Sequence, residues 1–188
     1  SDPCLDVVGH RIPNYFVDRD SLDNKDELTN IGLLARDMAD DEALIIFPEG
    51  TRFSTEKLAK AISALSETAP TRVKSASELR SVLPPRTAGT LAALAESNAD
   101  IVLCNHVGIS DISSLQQLRA AVPLQTELKF KLWRTARSEV NQTQFVQWLD
   151  AQWAIVDDWV TNNEDVTSPL SKPASLNPNE TATTIEKE

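Results

Sequence analysis

Apolar positions in this chain recur with two periods, and the switches between them outline the elements. Leu28, Ile31, Leu34, Ala35 and Met38 fall on one face of a helix that Ser21 would cap and that runs to about Asp40. The acidic cluster Asp40-Asp41-Glu42 breaks it. Ala43 to Phe47 is then a continuous apolar run stopped by Pro48 and Gly50, the signature of a buried strand leading into a tight turn. A second helix opens at Ser54-Thr55-Glu56, with Leu58, Ala61, Ile62 and Leu65 as its stripe and Lys57, Lys60 and Glu67 opposite.

Ser75 and Glu78 have capping-box spacing for a short third helix, which Pro84-Pro85 stops. Thr87 caps the next, Gly89 to Ser97, and Ile101 to Cys104 reads as a strand buried on both faces. Ser113 to Ala121 is helical by pattern. Leu128, Phe130 and Leu132 alternate with Lys129, Lys131 and Trp133, the period of a strand with one wet or lipid-facing side. The longest periodic stretch is Gln142 to Asn162, where Phe145, Leu149, Trp153, Val156 and Val160 share a face flanked by Trp148, Ile155 and Trp159. Core packing accounts for so many large side chains. The alternative, an interfacial helix, is opposed by Asp150, Asp157 and Asp158, which anionic lipid would repel.

Strands alternating with helices predict an α/β domain over residues 1–162, a mostly parallel central sheet flanked by helices. From 163 to 188 the chain is rich in Asn, Pro, Ser, Thr and Glu, the composition of a disordered tail. The N-terminal residues 1–13 have no period, and Tyr15 to Val17 reads as a short strand delivering Arg19.

Composition narrows the function classes. The 188 residues suffice for one domain with a real core. A formal net charge of −10 argues against nucleic acid and leaves no basic belt for anionic lipid. Cys4 and Cys104 stand far apart without a CxxC or a His pair, which excludes a disulfide framework and makes a metal site unexpected. No run approaches the roughly 18 apolar residues of a spanning helix.

The candidate chemistry centres on Glu49-Gly50-Thr51-Arg52. Glycine lets a bound group approach the backbone, and the arginine fork suits a phosphate. Phe47-Pro48-Glu49-Gly50-Thr51-Arg52 resembles the third sequence block of the glycerol-phosphate and lysophosphatidate acyltransferases. Phe16-Val17-Asp18-Arg19 is similar to the second block, and Leu83-Pro84-Pro85-Arg86-Thr87-Ala88-Gly89-Thr90 to the fourth, in the family's order. The resemblance spans roughly residues 8 to 160, and its specific part is the third block.

The resemblance implies acyl transfer from a thioester, acyl-CoA or acyl-carrier protein, to the hydroxyl of a lysophosphatidate-type glycerol phosphate. No bound cofactor is expected beyond that thioester co-substrate. Lysophospholipid and acyl thioester are the expected partners, at the cytoplasmic side of a membrane. Membrane contact is expected mainly through sequence preceding Ser1, because the chain looks truncated. Arg52, with Gly50 and Thr51, is the expected phosphate ligand, Arg19 a second, and Glu49 the carboxylate that orients the arginines.

The family's base comes from a His followed by four residues and Asp, ahead of the second block, and too little chain precedes Arg19 to hold it. The resemblance therefore implies that this chain alone is inactive. His106 and Asp111 have that spacing but stand after the fourth block, where they are expected to be a look-alike rather than a working dyad. His10 has no accompanying acids and no assigned role. An alternative is a catalytically inactive fragment or paralogue that acts as a phospholipid- or protein-binding module.

Overall fold

The computed structural model describes residues 25–108, 115–123 and 127–164. Helix α1 spans Lys25–Arg36, α2 Thr55–Thr68, α3 Val73–Ser77 and α4 Ala88–Glu96; strand β1 spans Ile101–Val107, helix α5 Leu115–Ala120, strand β2 Lys129–Thr135 and helix α6 Phe145–Asn163. The expected strand Tyr15 to Val17, the Ser21 cap and the tail lie outside the described residues.

The mostly parallel central sheet is overturned. Among the described residues the chain is mainly helical, and the sheet has two strands, β1 and β2, paired antiparallel with Ile101 opposite Thr135 and Val107 opposite Lys129. A parallel sheet needs a crossover between neighbouring strands and cover on both faces. Here the two strands run back along one another, and one face is open. Burial alternates along β1: Ile101, Leu103 and Asn105 point inward while Val102, Cys104 and His106 are exposed. Across from them, Phe130 and Leu132 are 59% and 64% exposed, whereas Trp133 turns inward and meets Trp159 of α6 edge-on at 5.8 Å. Lys131, between Phe130 and Leu132, is exposed as well, so the expected division of β2 into an apolar inner and a wet outer side does not hold.

The expected strand Ala43 to Phe47 is also corrected. Residues 42–47 are irregular, and Ile45 and Phe47 are 75% and 82% exposed, so the run is not a buried strand. Apolarity made it look like core, but burial depends on a ladder partner and cover, and the described residues supply neither.

The core lies on α6. Phe145, Leu149, Trp153, Val156 and Val160 are buried together, as their spacing predicts, and pack with Leu79, Val82, Leu94, Val107 and Val140. Val156 has no exposed surface. The helix starts later than its pattern, because Gln142–Gln144 forms a 3-10 turn in which the Asn141 side chain accepts the Thr143 N–H. Helix α2 begins as read, with Ser54 accepting the Lys57 N–H at 3.2 Å. Ser75, in contrast, sits inside α3, because a 3-10 turn at Pro70–Arg72 starts the element earlier. Helices α1 and α4 pack together, tied by Arg36 and Glu96 at 2.6 Å.

Candidate phosphate-binding turn

Phe47 to Gly50 forms a β-turn closed by the Gly50 N–H donating to the Phe47 carbonyl at 3.0 Å. Proline at its second position and glycine at its fourth are what such a turn favours. Gly50 has φ +69°, a conformation costly for any residue with a Cβ.

Two contacts dock this turn on the segment leading into α4. The Arg86 N–H donates to the Pro48 carbonyl at 2.8 Å, and the Leu83 N–H donates to the Glu49 carboxylate at 3.0 Å. The third-block and fourth-block residues, more than thirty positions apart in the sequence, thus meet. The Arg86 side chain lies over Gly50: a Cβ there would stand 3.4 Å from both Cζ and Nε of the guanidinium.

The segment is itself held by α6. Buried Asp157 accepts the N–H groups of Arg80, Ser81 and Val82 on one oxygen, at 2.8, 2.7 and 3.2 Å. Arg72 reaches Asp150 with two donors, at 2.8 and 2.6 Å, and also donates to the Pro85 carbonyl at 2.8 Å.

Lys57 approaches from α2. Its Nζ donates to Thr51 Oγ1 and to the Arg52 carbonyl, each at 3.0 Å. Arg52 is exposed at the end of the turn. Lys57 and Arg86 therefore meet the turn at residues 50–52, which carries Arg52, while Glu49 is engaged by Leu83. That leaves a locally positive turn on an acidic chain, which suits an anion.

Glu49, expected to orient the arginines, engages the backbone, and one of those arginines, Arg19, lies outside the described residues. Its carboxylate bonds to the Leu83 backbone, and burial pushes its pKa above the ordinary carboxylate value. The Leu83 N–H opposes that shift, and the Asp157 carboxylate adds to it. Its observed part is to dock the turn.

Gly50, Thr51 and Arg52 are thus brought together with two cations not foreseen as ligands, Lys57 and Arg86. Arg86 stands in the fourth-block stretch, which was the only signal for it. Arg19 and Asp111 lie outside the described residues. His106 is exposed on the outer face of β1, its ring 5.9 Å from that of Phe130. Among the described residues no group of three or more His, Cys, Asp or Glu is arranged to hold a metal ion, and no helix is long and apolar enough to cross a membrane.

No family model, curated protein or solved structure matches the chain.

Proposed function

We propose that this chain carries the acceptor-binding part of an acyltransferase that acylates a lysophosphatidate-type glycerol phosphate from an acyl-CoA or acyl-carrier-protein thioester. The observation that supports this reading is the convergence of the third- and fourth-block residues, through the Glu49–Leu83 and Pro48–Arg86 hydrogen bonds, on a turn that carries Arg52. In the reaction the acceptor hydroxyl attacks the thioester carbonyl carbon. A C–O bond forms, the C–S bond breaks, and the proton leaves the hydroxyl while the thiolate departs and is protonated to the thiol. The turn's part is to fix the acceptor's phosphate, so that the hydroxyl is held against the reacting carbonyl rather than met by diffusion.

A second reading is binding without turnover. It is favoured by the position of His106, which lies on the open face of the β-ribbon with its ring against Phe130.

One pair of measurements on the full chain separates them: lysophosphatidate affinity by calorimetry, and lysophosphatidate-dependent thiol release from acyl-CoA. Binding that Arg52→Ala weakens about tenfold, the loss of roughly one charge-assisted hydrogen bond, supports a phosphate site. Thiol release then selects the enzyme, and binding without it selects the module. No binding overturns both.

A further inference from the structure

We propose that Arg86 sets the specificity of this turn, selecting a phosphomonoester dianion over a phosphodiester; this rests on the turn being the acceptor's phosphate site. The placement of Arg86 carries the argument. Its backbone is fixed by the N–H donated to Pro48, so its side chain is not needed to hold the segment. The guanidinium nevertheless lies against Gly50, at van der Waals distance from where a Cβ would stand. Glycine at a positive φ sets the turn backbone, and the guanidinium lies along it.

The turn's own carboxylate is turned aside. Glu49 accepts from Leu83, and Arg86 makes no ion pair among the described residues. Its fork is left to an external anion. Lys57 contributes a second cation on the next residue, already oriented by two hydrogen bonds and with a third proton to donate. Arg52 follows at the end of the same turn.

This arrangement favours charge as well as shape. A phosphodiester carries one negative charge and two terminal oxygens. A phosphomonoester carries three terminal oxygens and, above its second pKa near 6, close to two charges. Lys57 and Arg86, both on the turn, match the monoester's charge, and a planar arginine fork can engage two of its oxygens at once. Affinity for a monoester should therefore rise with pH as the second proton leaves, while affinity for a diester stays flat.

The test uses the full chain with glycerol 3-phosphate as the monoester and glycerophosphocholine as the diester, titrated from pH 5 to 8. Phosphatidylcholine vesicles with and without phosphatidic acid show whether the monoester is taken free or on a lipid; either source supports the assignment. Wild type is expected to prefer the monoester and to bind it more tightly as pH rises. Arg86→Gln should weaken monoester binding about fivefold to tenfold, flatten its pH profile and leave the diester within about twofold. Arg86→Lys should restore the pH profile in part, and Lys74→Gln, a surface cation on α3, should change nothing. Urea midpoints establish that Arg86→Gln is folded. Monoester binding unchanged in Arg86→Gln but lost in Arg52→Ala overturns this inference and leaves the proposed function standing. No binding of glycerol 3-phosphate or phosphatidic acid by wild type overturns both.

Discussion

Asp157 joins the main helix to the candidate site, and replacing it tests how that site is held. The residue is 3% exposed, and one carboxylate oxygen accepts three consecutive backbone N–H groups, from Arg80, Ser81 and Val82. The other oxygen faces Arg80 Nε at 3.4 Å. Asp157→Ala leaves those donors without a partner beneath a packed helix. Each hydrogen bond to a charged group is worth about 1.5–3 kcal/mol, less when three share an atom, so the loss should be about 3–5 kcal/mol. Against a typical total of about 5–15 kcal/mol, that is a large fraction. Asp157→Asn keeps an oxygen in the same place and loses only the charge and the weak Arg80 contact, so it should cost about 1–2 kcal/mol. Urea unfolding followed by tryptophan fluorescence measures both. For a slope of about 2 kcal/mol/M the alanine midpoint falls by about 2 M with the slope unchanged. An alanine variant within about 1 kcal/mol of wild type, or an asparagine variant as damaged as the alanine, would refute the reasoning.

Two further substitutions probe the same region. Glu49→Gln keeps an acceptor for the Leu83 N–H but removes a charge whose folded-state pKa burial has raised. A raised acid is least costly to the fold when protonated. The Gln variant should therefore gain on wild type as pH climbs from the ordinary carboxylate value through the raised one, and the gap should close in acid; thermal melts across pH 4 to 8 show it, and a gap that widens in acid contradicts it. Arg72→Ala strips the partner from Asp150, a pair whose side chains are only 11% and 13% exposed, and leaves the Pro85 carbonyl unpaired. A loss of about 3–5 kcal/mol is expected, and Arg72→Ala with Asp150→Ala together should cost less than the sum of the two, measured as a double-mutant cycle.

Local periodicity was enough for most of the helices. The face Phe145, Leu149, Trp153, Val156, Val160 is buried as its spacing requires, because that geometry depends only on the turn of one helix. Ser54 capped α2 for the same local reason. The apolar run at residues 43–47, bounded by proline and glycine, has the pattern of a buried strand yet is irregular and exposed, because strand formation is settled by a partner from elsewhere in the chain. The same gap hid the sense of the sheet. Alternation marks a strand without saying whether its neighbour runs with it or against it.

The sequence by itself determined the helices, the proline–glycine turn at 48–50 and the residue types that make that turn suited to an anion. Only the tertiary structure decided that β1 and β2 pair antiparallel, that Glu49 accepts from the Leu83 backbone, and that Arg86 closes over Gly50. The physical reason is range. Turns and helices are fixed by neighbours a few residues away, whereas these three outcomes depend on contacts across some thirty positions, whose pairing no local pattern encodes.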